Sequence, residues 1–159
     1  MASWADIERT EPVFAAAVRG RLDAHVHKTI ATLRADGSPR ISGIETILAD
    51  GELWVGSMPG ARKALDLRRD PRYALHSGSA DPPEWQGDAK LSGQAAEITA
   101  ADRQAEIFGA RSADAPPPDS LLFRLGIELA SLVRLNPDGD RLVIEVWRPG
   151  QPLTRMERA

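Results

Sequence analysis

Residues Gly56 to Pro71 read GSMPGARKALDLRRDP. The residues leading into this stretch, Glu52 to Gly56 (ELWVG), have strand character. Ser57-Met58-Pro59-Gly60 supplies turn residues, and Arg62 and Lys63 stand in the first turn of a short leucine-bearing helix. A helix N-terminus leaves backbone N–H groups free, and the helix dipole adds partial positive charge to them. With two cations in that turn the stretch can seat an anion, a phosphate above all, which Arg62 can grip through its forked donors. A second reading uses the same residues. Arg62 and Asp66 are spaced i, i+4, and Lys63 and Asp66 i, i+3, which is the pattern of a solvated ion-pair face worth about 0.2–0.5 kcal/mol per pair.

Upstream, HVHKTIATL (His25 to Leu33) is β-branched and short, Ala35-Asp36-Gly37-Ser38 is a turn, and a second strand runs from Arg40 to Ala49. Asp50-Gly51 is a hairpin signal joining that strand to ELWVG. Connections this short exclude parallel crossovers, so the sheet is expected to be antiparallel. Further upstream, Ser3 can cap a helix starting at Trp4. The stripe Trp4, Ile7, Val13 or Phe14, Ala17 and Val18 continues it, with Pro12 as a break or a second start. Downstream, RYALHSG predicts a fourth strand. Trp85 to Thr99 predicts a longer one, bent or bulged at Gly87 and Gly93. A helix is expected from about Thr99 through Phe108, a proline loop over Ala113 to Asp119, and a helical turn over Leu121 to Leu125. The last two strands, Ile127 to Leu135 and Arg141 to Trp147, are joined by Asn136-Pro137-Asp138-Gly139. The expected fold is α+β and mainly β: an antiparallel, closed or nearly closed barrel of about six to seven strands with short flanking helices, a sandwich being the alternative. One domain is expected over 1–159, with a helical segment over 1–21 and a tail over 149–159.

Composition narrows the function classes. The 20 Lys and Arg against 23 Asp and Glu give a net charge of −3, which offers no global field for nucleic acid or an anionic membrane. The absence of cysteine excludes disulfides, thiolate metal sites and a cysteine nucleophile. The first twenty residues carry Asp6, Glu8 and Glu11 and no long apolar run, so neither a signal peptide nor a membrane span is expected, and the reading is cytoplasmic. Arg68, Arg69 and Arg72 are interleaved with Asp66 and Asp70, which argues against a nucleic-acid patch. His25 and His27 share a strand face without a carboxylate pattern to complete a metal site, so no metal is expected. Trp54, Trp85 and Trp147 are expected in the core or an interface, with cofactor stacking the lesser reading for Trp85.

Taken together, TLRADGSPRIS, ELWVGSMPGARKALDLRRDPRYAL and GDAKLSGQAAEIT resemble the flavin-binding split β-barrel family that includes pyridoxamine 5'-phosphate oxidase and actinobacterial flavin and deazaflavin oxidoreductases. The resemblance spans roughly Leu22 to Trp147. It implies FMN at a homodimer interface, with the phosphate on Arg62, Lys63 and Ser57, and Met58 in the same turn. It also implies Arg40 as the basic residue opening the second strand, and Ser42 and Gly43 along the ring system. Two residues depart from the family pattern: Glu45 replaces a usual lysine, and Asp88 stands near an expected amide. A carboxylate beside the ring opposes an anionic reduced flavin. The expected function is therefore an FMN-dependent oxidoreductase for a small substrate, with no protein side chain singled out as catalytic. The alternatives are dependence on the deazaflavin coenzyme factor 420, with Arg34, Arg40 and the Arg68 to Arg72 cluster as a groove for its anionic tail, and a non-catalytic flavin- or haem-binding protein.

Overall fold

The computed structural model describes residues 1–112 and 116–159, so positions 113–115 of the expected proline loop lie outside the described residues. Helix α1 (Trp4–Thr10) is closed by a reciprocal cap. The Ser3 hydroxyl accepts from the Asp6 N–H at 3.2 Å, and the Asp6 carboxylate accepts from the Ser3 N–H at 2.9 Å. These bonds, with Arg9, hold the Asp6 pKa at about 2. Helix α2 (Pro12–Asp23) starts on proline, whose missing N–H costs nothing at a helix start, and it buries Phe14, Ala15, Val18 and Leu22.

Strand β1 (Lys28–Leu33) pairs antiparallel with β2 (Pro39–Ile44). The single strand expected over Arg40 to Ala49 is instead two, interrupted at Glu45, because β3 (Thr46–Ala49) pairs with β4 (Glu52–Ser57) rather than with β1. Asp50 and Gly51 both take positive φ, 54° and 69°, as a two-residue hairpin turn requires. Helix α3 (Arg62–Arg69) follows β4, then β5 (Arg72–His76), β6 (Asp88–Ile98) and helix α4 (Ala101–Arg111).

The helical turn expected at Leu121 to Leu125 is strand. Strand β7 (Leu121–Leu135) runs fifteen residues and pairs with both β4 and β6. Apart from the exposed Arg124 and Glu128, its first half has buried residues on both faces: Leu122 meets Ile47, Trp54, Ile107 and Phe108, while Phe123 and Leu125 enter the main core. A strand buried on both sides loses the alternation that marks strands in sequence. Strand β8 (Leu142–Trp147) pairs with β7. The expected C-terminal tail contains a further strand, β9 (Thr154–Arg158), paired to β8 with every side chain exposed. No burial pattern announced it, since none of its side chains is buried.

The main path of the sheet runs β2-β1-β5-β6-β7-β4-β3, with β8 and β9 extending from β7. Strands consecutive in sequence, β2 and β3, therefore lie at opposite ends of the path, and the sheet curls until β2 approaches β4 without a ladder between them. This is a split barrel. Curling is eased by the expected bulge at Ser92/Gly93, where a Cβ on Gly93 would stand 2.0 Å from the Gly126 carbonyl oxygen. Gly93→Ala is expected to lower stability by about 1–3 kcal/mol in urea unfolding. Gly20→Ala, in α2 with nothing within 4 Å of its new methyl, is expected to raise it by about 0.5–1 kcal/mol.

Candidate functional site

Strand β4 ends on the buried Ser57, and the Met58-Pro59-Gly60 turn, with Gly60 at φ 71°, lifts the chain into α3. The residue before the helix is Ala61, which provides no side-chain cap. Neither the Arg62 nor the Lys63 N–H has a hydrogen-bond partner among the described residues. Two orphan donors thus face outward from a positive helix end.

The ion-pair face open to Arg62 and Lys63 is not formed, because Asp66 points inward. Its carboxylate is buried and accepts from Arg40 Nε at 2.6 Å, Thr32 Oγ1 at 2.9 Å and Arg69 at 3.1 Å. Burial alone would raise the Asp66 pKa, but the hydrogen bonds from Arg40, Thr32 and Arg69 outweigh it and leave the group below its ordinary value. Arg62, exposed, and Lys63, half-buried, consequently have no acidic partner among the described residues.

A cavity of about 450 Å³ opens at the split of the barrel. Of the residues expected there, Gly43, Ser57, Met58 and Lys63 line it. Arg62 lies beside Lys63 at the exposed start of α3, whereas Arg40 is engaged with Asp66 and neither it nor Ser42 reaches the wall. The structure adds residues that sequence reasoning did not place at a site: His27, Phe108 and Arg111, and Pro116, Pro117 and Ser120 from the segment before β7. Phe108 presses on β4 so closely that a Cβ on Gly56 would lie 2.8 Å from its ring. Glu45, at the junction of β2 and β3, also lines the cavity. It is ion-paired to Arg111 and lies 3.7 Å from His27 Nδ1. The signal for these residues was weak, since α4 reads as an ordinary packing helix and only its place over β3 brings Phe108 and Arg111 to the split.

The remaining candidates are accounted for elsewhere. Arg68 makes a two-pronged bond to Glu97, Arg72 to Asp70, and Arg34 donates to Ser38 and the Pro39 carbonyl. Trp85 donates to Asp88, which also lies 3.8 Å from His76, and neither Trp85 nor Asp88 lines the cavity. Trp54 and Trp147 are buried, donating to the Ala49 carbonyl and Thr10. Among the described residues, no three His, Cys, Asp or Glu side chains come together as a metal site, and no helix is long and apolar enough to cross a membrane.

A curled antiparallel sheet with a cavity at its split defines the fold class as a split barrel. Residues 14–134 match the family model for pyridoxamine 5'-phosphate oxidase, and the chain belongs to that family. No curated protein matches the sequence. Among solved structures, the chain is similar to a pyridoxamine 5'-phosphate oxidase-related, FMN-binding protein of Nostoc punctiforme, with TM-score 0.62 and 14% identity over 94% of this chain and 96% of that one. ChuZ of Campylobacter jejuni aligns with TM-score 0.70 and 11% identity over 90% and 62% of the two chains. The haem storage protein HutZ of Vibrio cholerae aligns with TM-score 0.59 and 19% identity over 74% and 89%. At these identities the likeness is one of fold.

Because the folded-state pKa of Asp66 is depressed, its contribution to stability is complete above the unfolded value of about 3.9 and is lost as pH falls through the lower folded value. Asp66→Asn, which leaves Arg40 without its counter-charge, is expected to cost about 3–5 kcal/mol at neutral pH. It is also expected to flatten the fall in stability below about pH 4 seen in urea titrations of the parent protein.

Proposed function

We propose that the protein is an FMN-dependent oxidoreductase that acts on a small substrate as a homodimer, with the FMN phosphate at the start of α3. The observation that carries this reading is the pair of free N–H groups and unpaired cations at Arg62 and Lys63, beside Ser57, at a cavity about 450 Å³ in volume. A phosphate dianion needs several donors and positive charge together, and this turn supplies both without disturbing an existing ion pair. Gly43, with nothing within 4 Å of where a Cβ would stand, leaves backbone open along the wall, where a flat ring can approach closely. Bound FMN would supply the hydride or electron transfer itself. The chain's part is to hold the phosphate, fix the ring against β2 and β4 and shield it with Phe108.

Large apolar side chains exposed next to cavity-lining positions support a second copy covering this face: Val26, Ile41 and Met58 are 68%, 75% and 70% accessible. The deazaflavin alternative draws less support. Of the groove expected for its tail, Arg34 donates to Ser38 and the Pro39 carbonyl, Arg40 and Arg69 are bound to Asp66, Arg68 to Glu97 and Arg72 to Asp70. A haem-binding alternative rests on His27, which lines the cavity.

Titrating the apo protein with FMN, factor 420 and haemin separates the three. Saturable FMN binding is expected, weakened by about 10²-fold or more in Arg62→Ala/Lys63→Ala, the loss of two charge-assisted bonds. Undiminished FMN affinity in that variant would remove the phosphate assignment, and preference for either other ligand would remove the FMN reading. Light scattering is expected to report a dimer.

A further inference from the structure

A second charged group lines the cavity, apart from the phosphate seat. Arg111, the last residue of α4, reaches Glu45 at the junction of β2 and β3, and His27 approaches the other oxygen of the same carboxylate at 3.7 Å. Of a guanidinium's five N–H donors, the described residues engage only one terminal nitrogen of Arg111, through Glu45, and 47% of its side chain remains accessible. Glu45 is the single acidic side chain among the described lining residues, against the two cations Lys63 and Arg111.

Lys28 lies behind this end of the cavity. Paired in register with Ile44, one residue from Glu45, it is buried, donates only to the Val26 carbonyl at 3.3 Å and forms no ion pair among the described residues. Its pKa is lowered first by burial, with Asp23 opposing and the charge of Arg111 contributing. Among the described residues, the one carboxylate lining the cavity, Glu45, is already paired with Arg111. The wall around it is apolar, from Ile44, Met58, Phe108, Pro116 and Pro117. The donors of Arg111 that the described residues leave unengaged, together with an apolar wall, suit a ligand with a carboxylate on a flat or aliphatic body.

We propose that Arg111 receives the carboxylate of the substrate, so that the substrate class is small carboxylic acids with an apolar body. The proposal rests on the flavin reading for what happens to that substrate, but not for its binding. Arg111 acts here as a specificity-determining residue.

The test uses benzoate and its neutral isostere benzamide as probes. Isothermal titration calorimetry is run on the purified full chain, alone and after addition of FMN. Benzoate is expected to bind saturably and about tenfold or more tightly than benzamide, the worth of one charge-assisted contact. Arg111→Ala is expected to abolish that preference while FMN affinity changes by less than about threefold. Arg111→Lys, which keeps the charge and loses the fork, is expected to restore part of it. Arg155→Ala, on the exposed β9, serves as the control with parental binding. Equal binding of the two probes, no saturable benzoate binding, or a loss in Arg111→Ala no greater than in the control overturns the proposal. Arg111-dependent benzoate binding by a protein that takes up no FMN leaves the carboxylate site standing and removes the flavin reading. FMN uptake without benzoate selectivity does the reverse.

Discussion

The arrangement of the site depends on one buried charge. Asp66 is carried by α3 but is satisfied by Arg40 from β2, Thr32 from β1 and Arg69 from its own helix. A carboxylate removed from water is tolerated only when its lone pairs are filled, and here three donors from three elements fill them. The same contacts pin the helix against the first hairpin. Turning Asp66 inward also deprives Arg62 and Lys63 of the partner that their spacing on the helix offered, so their charge stays available at the start of α3. A structural ion pair on one side of the helix thus leaves two cations without an acidic partner, among the described residues, on the other.

The second constraint is the interruption at Glu45. The chain leaves β2 at one end of the sheet path and enters β3 at the other, so the backbone from Arg40 to Ala49, one strand in the sequence reading, serves two ladders. The curl this imposes brings the ends of β2 and β4 together without pairing them. The unpaired gap becomes the cavity, lined from both strands and roofed by α4. Glu45 sits at the break itself, where its carboxylate meets Arg111 from α4. The residue that marks the split therefore also sets the charge pattern of the cavity wall.

Local signals were legible wherever the chemistry was local. The Ser3 cap, the Pro12 start, the Asp50-Gly51 turn and the Gly93 bulge each follow from what one or a few residues can or cannot do. Helix α3, with its cations in the first turn, and the antiparallel order were read in the same way. Misreadings fell where burial is two-sided or absent: the start of β7 has no alternation because both of its faces are covered, and β9 has none because neither is.

The sequence alone determined the antiparallel, mainly β class and the exclusion of thiol chemistry, since turn propensities and the absence of cysteine are properties of short segments or of composition, and the split barrel entered through the family resemblance. Only the tertiary structure decided which charges are spent. Arg40, Arg68 and Arg72, groove candidates in the sequence, are held by Asp66, Glu97 and Asp70, while Arg111, which reads as an unremarkable helix terminus, stands at the cavity, paired to Glu45 through one terminal nitrogen with 47% of its side chain accessible. Whether a charge is available depends on what lies within a few ångströms of it in space, and that neighbour is most often distant along the chain.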